Sequence, residues 1–161
     1  MQLLKASALI LALAGCGAKE DEYSVPALIK SLKDTDPDKR YTAANVLGKY
    51  GPDAESAVPA LRDALHDESA AVRIGVVYAL AEIGPPADEA IPDLEERLVK
   101  DSNTDVRIGA AYALGTFGSD ASGSLPVLYE AAKNDQDQSV RTEVAKAISL
   151  IEAKTPGVSR N

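Results

Sequence analysis

The sequence predicts an all-α protein, an α-solenoid of four stacked helix pairs, and three observations lead to this prediction. Residues 71–84 read AVRIGVVYALAEIG and residues 105–118 read DVRIGAAYALGTFG, so two stretches 34 residues apart agree at eight of fourteen positions. A period of this size is typical of stacked supersecondary units. Aromatic residues make up only 4% of the chain and Trp is absent, which favours closely packed helices over a β-sandwich. No window alternates apolar and polar residues strictly enough to predict strands.

Three residue types recur in register and define four units. Each unit has a Pro near its start, an Arg further along, and an Asp six residues before that Arg. The sets are Pro26, Pro59, Pro92 and Pro126; Arg40, Arg73, Arg107 and Arg141; and Asp34, Asp67, Asp101 and Asp135. We therefore assign the units to residues 24–56, 57–89, 90–123 and 124–154, and expect 155–161 to form a flexible tail.

Each unit is predicted to contain two helices. The first begins near its Pro, which is tolerated in a first helical turn because the backbone N–H groups there lack partners. The second begins after an N-cap residue four positions before the Arg, and a Gly ends it in three units. The N-cap residues are Asp36, Ser69, Asn103 and Asp137, and the glycines are Gly51, Gly84 and Gly118. One such pair cannot bury its own apolar face, so the units are expected to stack.

The first fifteen residues have the pattern of a secretory signal peptide. Lys5 is followed by an apolar stretch from Ala6 to Ala14, broken only by Ser7, which is too short to span a membrane. The stretch ends in LAGC, which resembles the bacterial lipobox and implies cleavage before Cys16 and lipid attachment to it. An ordinary secretory signal is the alternative. The lipobox reading predicts residues 16–23 as a tether and a membrane-anchored location in the bacterial cell envelope, facing the periplasm or the exterior.

The repeats resemble HEAT-like repeats of the short kind found in phycobilisome-lyase-type proteins. The resemblance covers about residues 24–154, and its pattern is P-x-L-x3-L-x-D…V-R-x2-A-x2-A-L-G-x-[IF]-G. Here the third unit carries it most fully, with Pro92, Leu94, Leu98, Asp101, Val106, Arg107, Ala110, Ala113, Leu114, Gly115, Phe117 and Gly118. The first and last units depart from the pattern, as is expected of terminal repeats with one side in water.

The four Asp and four Arg residues are predicted to form a structural Asp–Arg ladder. Each Arg lies in a first helical turn, where the helix dipole disfavours a positive charge, so each needs a partner. The Asp six residues earlier supplies one, either within a repeat or across to the next. The resemblance to HEAT-like repeats implies the same role. A ligand-binding ladder is the alternative.

The residue inventory offers little for catalysis. His66 is the only histidine and Cys16 the only cysteine, so neither a metal site nor a nucleophile–base pair has its usual members. The net charge of −8 gives no attraction for nucleic acid. We therefore predict a non-catalytic protein without a cofactor, and a monomer.

The second helices supply the candidate binding surface, because in repeats of the resembling family they line the concave side. The candidate residues are Ile74, Gly75, Tyr78, Ile108, Gly109, Tyr112, Tyr41 and Asn45. Tyr78 and Tyr112 are expected to lie about 10 Å apart, the spacing of packed helices, with the glycines leaving room for a bound chain. Packing against neighbouring helices is the alternative for all eight.

The predicted function is an interaction scaffold that binds a protein or peptide on this concave face, because clustered exposed aromatic residues mark contact surfaces. Two alternatives stay open. One is a bilin-lyase-like enzyme or chromophore chaperone, which the resemblance implies; the other is a spacer module without a partner of its own.

Overall fold

A computed structural model describes residues 23–155 of the 161-residue chain. The predicted signal peptide, Cys16, most of the predicted tether and residues 156–161 lie outside the described residues. Within residues 23–155 the chain forms eight α-helices and no strand. They are α1 (Val25–Ser31), α2 (Pro37–Tyr50), α3 (Val58–Ala64), α4 (Ala70–Ile83), α5 (Ile91–Lys100), α6 (Thr104–Phe117), α7 (Leu125–Asn134) and α8 (Gln138–Lys154).

The helices pair in chain order and stack as an α-solenoid, which confirms the predicted fold class. The odd-numbered helices are the first helices of the units and the even-numbered helices are the second. Each second helix packs along the next one, α2 on α4, α4 on α6 and α6 on α8, whereas the first helices contact one another far less. We call this closely packed side of the second helices the concave face, because the resemblance to HEAT-like repeats implies that it is the inner side of the solenoid.

The helix starts follow from local chemistry. A Pro is the second residue of α1, α3, α5 and α7, where no helical N–H partner is lost. At the second helices, the side chains of Asp36, Asn103 and Asp137 accept hydrogen bonds from backbone N–H groups of the first turn. Ser69 occupies the same place before α4 without a side-chain capping bond.

The second helices of the first three units end at glycines with positive φ. Gly51, Gly84 and Gly118 have φ of 56°, 74° and 62°, a conformation in which a Cβ would be strained. A 3₁₀ helix then leads into the next unit at Gly51–Ala57, Pro85–Ala90 and Gly118–Ser124. The repeat period does not predict these segments. In the fourth unit, which has no such glycine, α8 continues to Lys154.

A single apolar core runs through the stack from Leu28 in α1 to Ile151 in α8. Its largest fully buried side chains are mostly leucines, and alanines such as Ala44 and Ala110 fill the places where helices approach closely. Ala54, Ala87 and Ala121 of the 3₁₀ segments are completely buried. Small residues therefore let the linking segments pack against the core and keep the pairs in register.

Candidate functional site: the Asp–Arg ladder and the concave face

The ladder arginines bind the aspartates of the following unit. Nε and Nη2 of Arg40 donate to the two carboxylate oxygens of Asp67 at 2.7 and 2.8 Å. Arg73 binds Asp101 in the same two-pronged way at 2.8 and 2.9 Å. Arg107 and Asp135 repeat the arrangement at 2.9 and 3.2 Å. Each ion pair thus joins two neighbouring repeats.

Each Arg also contacts the aspartate of its own unit, through that residue's backbone. The Nη1 groups of Arg73 and Arg107 donate to the carbonyl oxygens of Asp67 and Asp101, at 2.7 and 3.0 Å. The predicted partner six residues earlier therefore takes part through its carbonyl, whereas its carboxylate binds the Arg of the preceding unit.

The aspartates of the ladder are held in charged form. Burial alone would raise the pKa of Asp101, but the bonds from Arg73 and from the Asn103 backbone N–H outweigh it, so the pKa lies below its usual value. The pKa values of Asp67 and Asp135 are lowered in the same way. The side chain of Asp101 is only 1% exposed, so this carboxylate depends on its partners.

The two ends of the ladder differ from its three junctions. At the N-terminal end of the described residues, the Asp34 carboxylate faces the exposed Lys39 at 3.3 Å, and no Arg within residues 23–155 forms an ion pair with it. At the C-terminal end, Arg141 donates to the Asp135 carbonyl oxygen at 2.6 Å and to the Gln138 side chain of its own helix. Asp34 and Arg141 therefore keep the contacts that ladder residues make within their own unit. Within residues 23–155, neither forms an ion pair with the Arg or Asp of another unit.

The concave face carries a row of partly exposed tyrosines. Tyr41 on α2, Tyr78 on α4 and Tyr112 on α6 are 41%, 37% and 42% exposed. Large, mainly apolar side chains that cluster on the surface of a protein are typical of contact surfaces. We call Tyr41, Tyr78 and Tyr112 the tyrosine row.

The rings of Tyr78 and Tyr112 lie closer together than predicted. Their centroids are 5.9 Å apart with an interplanar angle of 46°, which is a tilted aromatic pair. The expected separation of about 10 Å was wrong because it used the spacing of the helix axes. The side chains lean toward each other across the junction, so the two rings form one continuous surface.

Gly75 and Gly109 were expected to leave room for a bound chain. The structure shows that they do not. A Cβ on Gly75 would lie 3.0 Å from Cδ2 of the Tyr41 ring, and one on Gly109 would lie 2.3 Å from Cγ2 of Val77. Both glycines are buried, and the neighbouring helix occupies the space. They let the second helices approach each other and thereby support the tyrosine row from below.

The remaining candidates lie between core and surface. Ile74 and Ile108 are half-buried and pack against the core, so each presents only part of its side chain. Asn45 on α2 is half-buried in the place that Tyr78 and Tyr112 occupy in the next two units. The accessible part of the surface is therefore the tyrosine row with the edges of the two isoleucines.

Two carboxylates that were not among the predicted site residues lie near the tyrosine row. Burial first, and then the negative charges of Asp105 and Glu143, raise the pKa of Tyr78. Asp105 lies three residues before Ile108 and seven before Tyr112, so helical periodicity would have placed it on the same face of α6. Glu143 on α8 forms an ion pair with Lys146 at 2.8 Å. Because Lys146 balances the charge of Glu143, Asp105 is the carboxylate that makes this aromatic part of the concave face negative.

Within residues 23–155, no group of three or more metal-binding side chains comes together. In the same part of the chain, none of the helices combines the length and the apolar character needed to cross a bilayer.

The profile of the family described as HEAT repeats matches residues 5–70, 25–115 and 58–149 of this chain. No curated protein is similar enough to count as a relative.

Solved structures with the same fold include designed and engineered proteins. A designed armadillo repeat protein in complex with the peptide (KR)4 superimposes with a TM-score of 0.67 at 19% identity, over 79% of this chain and 64% of that one. An engineered protein from the Northeast Structural Genomics Consortium has a TM-score of 0.65 at 24% identity, over 81% and 63% of the two chains. A second one has 0.64 at 26%, over 83% and 65%. This chain thus spans a little under two thirds of their lengths.

Proposed function

We propose that this chain, which belongs to the HEAT repeat family, is a non-catalytic scaffold that binds a protein or peptide on its concave face. The observation that carries the proposal is the tyrosine row, three tyrosines on consecutive second helices with more than a third of each exposed. A tyrosine offers a large, rigid contact area at a low cost in conformational entropy, and aromatic anchors dominate the energy of many interfaces.

The charges around the row favour a partner with Lys or Arg near its contact residues. Asp105 and Glu143 lie close enough to Tyr78 to raise its pKa, and the chain has a net charge of −8. A positively charged side chain would meet the aromatic faces of Tyr78 and Tyr112 and the carboxylates together. The designed armadillo neighbour, which holds a peptide of alternating Lys and Arg, is an example of this fold with such a ligand.

We further propose that the scaffold is anchored to a membrane of the bacterial envelope by lipid on Cys16. The support is the signal-like stretch at residues 1–15 and its LAGC ending. The six residues 17–22 would span roughly 12–15 Å as a flexible chain, which keeps the solenoid close to the membrane surface.

The test is a pull-down from envelope extract with residues 17–161, which retain every contact described here. Tyr78→Ala/Tyr112→Ala is compared with the wild type, and Tyr129→Ala serves as the matched control, because Tyr129 is an exposed tyrosine on the first helix α7. We expect the double variant to lose roughly 30-fold in affinity for a captured partner and the control to lose none.

Circular dichroism first establishes that each variant is folded. A folded double variant that keeps every partner of the wild type contradicts binding at the tyrosine row. A double variant that unfolds shows instead that the two tyrosines belong to the core; Tyr78→Phe/Tyr112→Phe, which keeps both rings, then tests whether the hydroxyl groups matter for binding.

A further inference from the structure

The C-terminal end of the solenoid has a shallow hollow of about 550 Å³, lined by Arg141 and Gln138 at its rim and by side chains of α7 and α8. The other lining residues are Ala132, Thr142, Ala145, Lys146 and Ser149. Counted along the repeat, positions 142, 145, 146 and 149 correspond to Tyr41, Ala44, Asn45 and Gly48 of the first unit. Gly75 of the following unit lies against Tyr41 and Ala44, and Ala79 lies against Gly48. The hollow is thus the place that the second helix of a further unit would occupy.

Arg141 is oriented as the arginines at the internal junctions are. Its Nη1 donates to the Asp135 carbonyl oxygen, as Nη1 of Arg107 does to that of Asp101. At the junctions this orientation presents Nε and Nη2 to a carboxylate of the next unit, whereas Nη2 of Arg141 contacts only Gln138 of its own helix. The guanidinium is therefore prepared for a carboxylate that arrives from beyond α8.

The first described unit of the same chain presents that carboxylate. Oδ1 of Asp34 accepts the Asp36 backbone N–H at 2.9 Å, just as Oδ1 of Asp67 accepts the Ser69 N–H at 2.8 Å. The turn that positions a ladder aspartate is therefore formed at Asp34 before any Arg binds it. The present partner of Asp34 is Lys39, whose side chain is 63% exposed and makes a single contact with it. Such an exposed ion pair contributes little free energy, so little is lost when an Arg of a second copy binds the carboxylate instead.

We propose that the C-terminal end of one copy is a docking site for the N-terminal end of a second copy, with Arg141 of the first binding Asp34 of the second. The junction repeats the register of the three internal ones, so that α2 of the second copy lies along α8. Ala145 is as small as Ala44, but Ser149 takes the place of Gly48, where a Cβ would lie 3.0 Å from Cα of Ala79, so α2 of the second copy lies farther from α8 than α4 lies from α2. The two surfaces differ, so the association is head-to-tail and extends the concave face by four units with each copy.

Because both end faces carry polar residues such as Thr142, Lys146, Thr42 and Lys49, the ion pair rather than apolar burial selects the register. Sedimentation velocity of residues 17–161 from micromolar to millimolar concentration measures the association. We expect the wild type to form concentration-dependent linear oligomers, and Asp34→Arg and Arg141→Asp each to weaken association about tenfold or more by placing like charges at both ends.

Charge exchange gives the decisive comparison. A mixture of Asp34→Arg and Arg141→Asp protein, or both changes in one chain, restores opposite charges at the junction and is expected to restore association. Asp34→Asn keeps the acceptor for the Asp36 N–H while removing the charge, so a loss of association in this variant does not come from a broken turn. Lys100→Glu, a charge reversal on the exposed side of α5, is the matched control and leaves association unchanged.

A wild type that stays monomeric throughout this range overturns the proposal. Association that survives both single charge reversals, or that is not recovered in the mixture, also overturns it. Association lost only in Tyr78→Ala/Tyr112→Ala would place the contact on the concave face instead and would equally refute docking of the ends.

Discussion

Arg73 in α4 and Asp101 at the end of α5 form a two-pronged ion pair across the junction of the second and third repeats. The two guanidinium nitrogens Nε and Nη2 lie 2.8 and 2.9 Å from the two carboxylate oxygens. Asp101 also accepts the Asn103 backbone N–H at 2.9 Å, and this bond shapes the turn that leads into α6. One carboxylate therefore fixes both a local turn and the docking of two repeats.

Removing the arginine from this pair is expected to destabilise the stack. Arg73→Ala leaves the Asp101 carboxylate, 1% exposed, without its main partner, and breaking a buried ion pair from one side costs about 3 kcal/mol. Arg141→Ala is the matched control, because this arginine has the same place in its repeat but no carboxylate from a next unit. Urea denaturation of dilute protein measures both, and equal midpoints for the two variants would count against a structural ladder.

The ladder also predicts a loss of stability in acid. The ordinary pKa of these carboxylic acids is near 3.8, and those of Asp67, Asp101 and Asp135 are lower in the folded protein. Around and below pH 4 the unfolded chain therefore binds more protons than the folded one, so this stabilisation is complete above the ordinary pKa and is lost as the pH falls through the folded values. We expect the urea concentration at the midpoint of unfolding to decrease as the pH is lowered below about 4.

Asp101→Asn separates this effect from general acid denaturation. Asn keeps an acceptor for the Asn103 N–H but has no charge to titrate, so the variant should be less stable at neutral pH and should lose less stability between neutral pH and acid. A pH profile as steep as that of the wild type would show that Asp101 does not contribute to the acid transition.

A methyl group on Gly109 is expected to disturb the packing of α4 on α6. The new Cβ of Gly109→Ala would lie 2.3 Å from Cγ2 of Val77, a buried and conformationally stiff side chain. Overpacking of this kind costs typically about 1–3 kcal/mol, which outweighs the better helix propensity of Ala. Gly123→Ala is the control, because nothing lies within 4 Å of a Cβ there. Thermal unfolding measures the stability of both variants. A Gly109→Ala protein as stable as the wild type would show that α4 and α6 can move apart at this junction without a loss of stability.

Lipid attachment is tested directly at Cys16. If the LAGC sequence is read as a lipobox, the exported protein begins at Cys16 and carries acyl chains, and Cys16→Ala yields unprocessed precursor or protein released from the membrane fraction. Intact-mass measurement of the exported wild-type protein checks this. An unmodified thiol at Cys16 would leave an ordinary secretory signal as the explanation.

Repeat periodicity is sufficient to predict the helix pairs, the starts of their helices and the set of ladder residues, because each depends on local chemistry: Pro in a first turn, Asp or Asn at an N-cap, Gly at a C-terminus with positive φ. Periodicity also placed Tyr78 and Tyr112 on one face. It left open whether Asp67 serves the Arg of its own unit or that of the unit before, since both lie within reach in a repeating chain.

The packing of the repeats answers that question, and it also establishes the roles of the glycines. The carboxylate of Asp67 binds Arg40 while its carbonyl oxygen accepts from Arg73, an arrangement that depends on how one repeat rotates against the next. Gly109 proved to make room for Val77 rather than for a ligand, and the Tyr78 and Tyr112 rings meet at 5.9 Å. Both results depend on side-chain direction and helix separation at a junction, which a sequence period does not specify.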